Sequence, residues 1–196
     1  MFKRSEVSVS SFRKHILVAL VEDKSGVLNR ISSLLRRRSF NIDSIAVGHT
    51  EQAGFSRMIM VVEADNQRVE QARKQLDKIV EVIKIVDITE QNHVARELAL
   101  IKVKSTPATR SEIIQIVDIF RANIVDVSPD SVIVEVTGDE EKLSSLTELL
   151  RGFGIRELVR TGLIALTRGG VGPLQIDTMA PQKGASREEA ESPPDW

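Results

Sequence analysis

The sequence contains no cysteine and no tyrosine, and its aromatic residues are six phenylalanines and a single tryptophan, Trp196. Without cysteine there are no disulfides, no thiolate metal sites and no cysteine nucleophile, a composition that fits an intracellular protein. Charge of one sign is also lacking: 27 Lys and Arg against 28 Asp and Glu give a formal net charge of −1. Such a balance offers neither nucleic acid nor an anionic membrane an electrostatic reason to bind. No apolar run approaches the roughly 20 residues that span a bilayer. The opening from Met1 to Lys14 is polar and basic without an apolar segment, so it reads as no secretory signal. A cytoplasmic protein is expected. Familiar catalytic patterns are missing too. His15, His49 and His93 lie far apart with no carboxylate at metal-ligand spacing. There is no Gly-x-Ser-x-Gly, no His-Glu-x-x-His, no Walker loop and no Gly-x-Gly-x-x-Gly turn. Paired carboxylates such as Glu140-Glu141 fall at a helix start, where the dipole favours them on a solvated face. The chain therefore reads as no enzyme by itself.

What is present is aliphatic and periodic. Hydrophobic residues make up 41% of the chain and charged residues 28%, as in globular proteins. His15–Val21 is apolar on both faces and predicts a central strand. From Val27 to Arg38 a helix is expected, with Val27, Leu28, Ile31, Leu34 and Leu35 on one stripe. Strands over Ile42–Val47 and Arg57–Ala64 follow. Asp65 can then cap a helix whose Val69, Ala72, Leu76, Ile79 and Val80 share a face. Val82–Ile88 closes a β-α-β-β-α-β unit, the ferredoxin-like split arrangement.

The second half repeats this order. Leu98–Lys104 reads as a strand, and Thr109-x-x-Glu112 as a capping box before Ile113, Ile116, Val117 and Phe120. Asn123–Val127 and Val132–Val136 flank the turn Ser128-Pro129-Asp130-Ser131. Asp139 can cap a helix bearing Leu143, Leu146, Leu149 and Leu150, with Gly152 placed to end it. Glu157–Thr167 reads as the last strand. Asn41-Ile42 and Asn123-Ile124 each open the strand after a first helix. The expected fold is α+β: two tandem ferredoxin-like modules over residues 13–90 and 94–168, followed by a disordered tail over 169–196. That tail holds four of the six prolines and four of the eleven glycines, with few aliphatic residues. Modules of about 75 residues have marginal cores, and helices on one sheet face leave the other wanting cover. Contact between modules and a two-fold homodimer are therefore expected.

The most informative stretch is Val21-Glu22-Asp23-Lys24-Ser25-Gly26-Val27-Leu28, where a strand passes through a one-glycine turn into a helix. Free N–H groups at a helix start can hold a carboxylate, and Gly26 permits close approach. Asp23 could hold an ammonium group beside them. The plainer alternative is that Asp23 or Ser25 caps the helix and Gly26 merely makes the turn.

Strand, Asp-x-x-Gly-x-Leu turn, helix and an Asn-Ile strand start together resemble an ACT domain. Further stretches narrow the likeness: Leu34 to Ile42, Ser44 to Thr50, Ser56-Arg57-Met58 and Gln71 to Val82. Arg96 to Val103, Ile119-Phe120-Arg121, Ile124 to Val127 and Arg160 to Arg168 extend it. Over residues 13–168 the chain resembles the small subunits of acetohydroxyacid synthase, also called acetolactate synthase. The resemblance implies a non-catalytic regulatory subunit in branched-chain amino-acid biosynthesis. Such a subunit activates a catalytic large subunit, on which thiamine diphosphate, Mg and FAD are expected; no cofactor is expected on this chain. It also implies feedback inhibition by valine or another branched-chain amino acid held between two chains. Carried over, the effector site comprises Asp23, Lys24, Ser25, Gly26, Val27 and Leu28 of one chain with Asn41 and Ile42 of the other. Two positions depart from the family pattern: Asp23, where many relatives have Asn, and Ser39, where many have Gly. Asn41 could instead serve the end of the first helix. In the second module Lys104-Ser105-Thr106-Pro107-Ala108 replaces the glycine turn, so one effector site per module pair is expected.

Three other readings compete. An RNA-binding fold shares this element order but stacks bases on aromatics, which Ile16–Leu20 and Arg57–Val62 lack. A stand-alone ACT-type sensor of a different enzyme would not co-purify with a thiamine-diphosphate enzyme. A small enzyme on the same scaffold would turn over pyruvate alone.

Overall fold

A computed structural model describes residues 12–170 and 174 and divides the chain into two compact units. The first is built around β1 (Arg13–Glu22), whose Leu17–Val21 core is buried on both faces. After β1 come α1 (Val27–Arg37), β2 (Asn41–His49), β3 (Phe55–Ala64), α2 (Asn66–Leu76) and β4 (Val82–Asp87). The sheet order is β2-β3-β1-β4. Antiparallel pairing of β1 with β3 runs from Arg13↔Ala64 to Glu22↔Phe55, which sets Leu17 beside Met60 and Ala19 beside Met58. Val27, Ile31 and Leu35 of α1 and Val69, Ala72 and Leu76 of α2 form the buried helix faces. Successive buried residues fall three or four apart, the period that keeps them on one stripe.

The second unit repeats the order with one strand more. β5 (His93–Lys104), α3 (Arg110–Ile119), β6 (Asn123–Val127), β7 (Ser131–Gly138), α4 (Glu140–Arg151) and β8 (Ile155–Arg160) are followed by β9 (Ile164–Thr167). Its sheet runs β6-β7-β5-β8, with β9 also on β5. Ala99, Ile101 and Val103 of β5 interleave with Val132, Val134 and Val136 of β7, under Ile113, Val117, Leu143, Leu146 and Leu150. Alternate residues of each strand point inward, as a sheet with helices on one face requires. The fold is α+β, two tandem ferredoxin-like modules.

Local chemistry departs from expectation at several points. The single last strand breaks into β8 and β9 because Thr161 N–H turns to the Leu98 carbonyl at 3.0 Å and Gly162 N–H to the Glu97 carboxylate at 3.1 Å. Glu97 is almost fully buried and is also held by the Arg160 guanidinium, at 3.0 Å from Nε. The capping box does not form: Thr109 makes no side-chain cap, and its Oγ1 instead accepts from Thr106 N–H at 3.0 Å. α4 has Gly152 at its cap in ordinary helical conformation, while Gly154 takes the left-handed one, φ 96°. α2 stops at Leu76, so Ile79 and Val80 leave its face and Val80 is exposed. Asp65 and Asp139 do cap, accepting from Arg68 N–H at 2.8 Å and Lys142 N–H at 2.9 Å.

The end of α1 closes without glycine. Ser39 itself adopts φ 55°, Phe40 N–H reaches Leu35 O at 3.0 Å and Ser39 N–H reaches Arg36 O at 2.9 Å. This is the paired Schellman closure. Arg68 reinforces it, donating to Arg38 O and Ser39 O at 3.2 and 3.3 Å while its guanidinium sits 5.3 Å from the Phe40 ring centre. α3 ends the same way at Arg121, φ 49°, with Ala122 N–H to Val117 O at 3.0 Å. Asn41 therefore has no part in the helix end.

Gly169, Gly170 and Leu174 are the described residues of the expected disordered tail; the remainder lies outside the described residues. Leu174 is buried, with the first unit. Deleting residues 175–196 should leave the melting temperature unchanged, whereas deleting 172–196 also removes Leu174. That second truncation should cost about 1.5–3 kcal/mol, the worth of burying one leucine. Denaturant midpoints of the two truncations give the difference directly.

Candidate binding site

The path of the turn between β1 and α1 is set by main-chain hydrogen bonds. Asp23 N–H donates to Gly54 O at 2.8 Å, Lys24 N–H to Glu22 O at 2.9 Å and Val27 N–H to Lys24 O at 3.5 Å. Gly26 occupies the N-cap with φ 87° and ψ −10°, and the first full helical bond is Arg30 N–H to Gly26 O at 3.0 Å. No side chain caps α1, and no acidic residue stands in its first turn. Neither Asp23 nor Ser25 performs the capping role of the plainer reading. The helix start thus keeps N–H groups and the positive end of its dipole facing outward. A Cβ built on Gly26 meets no atom within 4 Å, so the space above the turn is open.

Asp23, Lys24, Ser25 and Gly26 are exposed, Val27 is buried into the core, and Leu28 is about half-exposed beside the turn. Lys24 Nζ lies 2.9 Å from Glu22 Oε2. The arrangement offers an anion the N–H groups of α1, a cation the Asp23 carboxylate, and an aliphatic group the flank of Leu28. These are the three parts of an aliphatic amino acid.

Asn41 and Ile42 are not part of this cluster within one chain. They open β2, exposed and half-buried respectively, whereas the far end of β2, His49, is the part that reaches the turn. Eight strand steps separate Asn41 from His49, about 26 Å. His49 is the residue that sequence reasoning missed: its Nδ1 lies 3.2 Å from Asp23 Oδ2. The element order carried the signal, since β2 and β1 flank β3 and their C-terminal ends share one edge of the sheet.

In the second unit the corresponding turn is filled. Ser105 is buried, its Oγ accepts from Arg110 Nε at 3.2 Å, and Arg110 also reaches Ser128 O and Pro129 O at 2.8 and 2.9 Å. Pro107 has no N–H to give. Among the described residues no group of His, Cys, Asp or Glu could hold a metal ion, and no helix is long and apolar enough to cross a membrane.

Residues 17–84 match the family described as AHAS small subunit-like ACT domain, and residues 96–169 match the small subunit of acetolactate synthase. The chain belongs to the acetolactate synthase small-subunit family. Its first unit is the ACT domain of that family of regulatory subunits. A probable acetolactate synthase small subunit of Archaeoglobus fulgidus is 54% identical over 156 residues, 80% of this chain and 98% of that one. The acetolactate synthase small subunit of Bacillus subtilis is 53% identical over 157 residues, covering 80% and 91% of the two chains. Among solved structures, the small subunit from Thermotoga maritima superposes with a TM-score of 0.74 at 41% identity, covering 81% of this chain and 99% of that one.

The turn's dependence on glycine can be measured apart from any ligand. Gly26→Ala meets no atom, so its cost is the left-handed backbone alone, about 1–2 kcal/mol. Equilibrium denaturation should return that value, and a loss well above it would reveal packing at the turn.

Proposed function

We propose that this chain, without catalytic activity of its own, activates the catalytic large subunit of acetolactate synthase and makes it subject to inhibition by valine or another branched-chain amino acid. The observation carrying the reading is the uncapped start of α1 behind Gly26, with the Asp23 carboxylate alongside. The effector carboxylate lies on the N–H groups of Gly26 and Leu28, its ammonium on Asp23, and its side chain against Leu28, with Val27 anchoring the turn in the core. Lys24 and Ser25 frame the turn. Asn41 and Ile42 come from a second copy in a homodimer, since within one chain they stand about 26 Å away along β2. Thiamine diphosphate, Mg and FAD are bound by the catalytic subunit, and this chain carries no cofactor. Its place of work is the cytoplasm, where that enzyme makes branched-chain precursors.

Family membership supports this reading, and so does the contrast between the two units: one helix start is open, the other closed by Ser105, Pro107 and Arg110. The test measures acetolactate formation by the cognate catalytic subunit with and without this chain, titrated with Val, Leu and Ile. The pure chain should form no acetolactate, mixing should raise turnover, and at least one of the three amino acids should reverse the gain. Gly26→Asp should keep the activation yet weaken the inhibitor roughly a hundredfold or more, because it sets a carboxylate where the effector's own must sit. Asn41→Ala should weaken it more gently, by about 1–2 kcal/mol, one lost hydrogen bond. Unchanged turnover on mixing, or a Gly26→Asp complex as sensitive as the parent, would overturn the assignment.

A further inference from the structure

We infer that Glu81 is a positioning residue of the effector turn: it grips the chain on both sides of that turn and so sets where the N–H groups of Gly26 and Leu28 point. The inference rests on the effector site proposed above and adds what keeps that site in its binding form. On the strand side Glu22 N–H, one residue before Asp23, donates to Glu81 O at 2.9 Å. On the helix side the Arg30 guanidinium donates to Glu81 Oε1. Arg30 is also the residue whose N–H closes the first full bond of α1, to Gly26 O at 3.0 Å. Asp23 to Gly26 thus lie between two points that are fixed on one residue.

Glu81 can serve as that fixed point because the backbone around it is held from both directions. After α2 the chain turns tightly, with Ile79 N–H to Leu76 O and Val82 N–H to Ile79 O, both at 3.0 Å. Pairing of β1 with β4 then shifts by one residue: Leu20 stands opposite Lys84, but Val21 opposite Val82. An unbroken register would set Val82 against Glu22. The irregularity brings Glu81 there instead, as a bulge re-aims a side chain. The Glu81 side chain is 13% exposed, and its Oε2 is buried with no hydrogen-bond partner among the described residues. Parting from Arg30 would leave that buried charge uncompensated, so the carboxylate stays with the guanidinium. α1 has no side-chain cap and no acidic residue in its first turn, which leaves this ion pair as the polar side-chain tie between helix start and sheet. Glu81 acts through the turn rather than on the effector. It keeps the turn in the conformation that receives a carboxylate, and a larger fraction of competent chains means a higher affinity.

Calorimetric titration of the full-length chain with L-valine, L-leucine and L-isoleucine tests this, paired with denaturation midpoints of the same proteins. The double variant Arg30→Met with Glu81→Gln breaks the tie without leaving a lone buried charge. It should bind about three- to tenfold more weakly than the wild type, as when the competent fraction falls to between a third and a tenth. Arg30→Lys keeps a cation on the same helix face and should bind more tightly than the double variant. Asp65→Ala removes the cap of α2, away from the turn; it should lower the midpoint and bind as the wild type does. Wild-type affinity in the double variant, Arg30→Lys no better than the double, or Asp65→Ala as weak as the double overturns the inference while leaving the site intact. A double variant that does not fold makes Glu81 a residue of stability alone and overturns it too. Binding undiminished by Gly26→Asp, or no binding of any of the three amino acids by the wild type, overturns the site and the inference with it.

Discussion

A strand with neighbours on both edges and burial on both faces makes a polar side chain costly to keep, and β1 is such a strand. From Leu17 to Val21 every residue is buried. Its one deeply buried polar side chain, His15, is met at 2.8 Å by Asp87, whose other oxygen accepts from Thr89 N–H at 2.9 Å. Polarity resumes where the strand leaves the sheet, at Glu22 and Asp23. The position of the candidate site follows from that constraint: backbone donors and charged side chains gather at the first point along the chain where water can reach them.

The same economy governs the helix ends. In both units the helix after the central strand is closed by a residue in left-handed conformation that is not glycine, Ser39 in one and Arg121 in the other. Each is followed two residues later by asparagine opening the next strand. For Ser39 the strain is offset by Arg68, which donates to the two carbonyls the turn exposes and lies against Phe40. The two modules thus repeat a backbone path more faithfully than they repeat residues, as expected when path is fixed by packing and residue choice by local compensation.

Much of the fold was legible in sequence because its signals are periodic or local. The unbroken aliphatic run of β1, the three-and-four spacing in α1 and α4, and the aspartate caps at Asp65 and Asp139 each act within a few residues. What escaped depends on partners distant in sequence. Thr109 resembles half of a capping box, but Thr106 is nearer to its hydroxyl. Glu157–Thr167 resembles one strand until Glu97, more than sixty residues earlier, draws Gly162 N–H inward. His49 shows no local pattern at all; only the order β2-β3-β1 brings it to Asp23. For the site, the glycine turn was readable from its residue types, and the open state of the helix start was not, since capping by Asp23 or Ser25 fits the same residues equally well.

The length of β2 has a consequence beyond geometry. A nine-residue extended strand cannot fold back, so its two ends serve different neighbourhoods: His49 attends its own chain's turn and Asn41 faces away from it. A ligand that requires both kinds of end is held in halves by two chains, and its saturation becomes a function of chain concentration as well as of its own. By mass action, such a ligand strengthens the pairing of the chains that hold it, and dilution releases it. A sensor so built reports the abundance of its metabolite weighted by the abundance of the sensor itself.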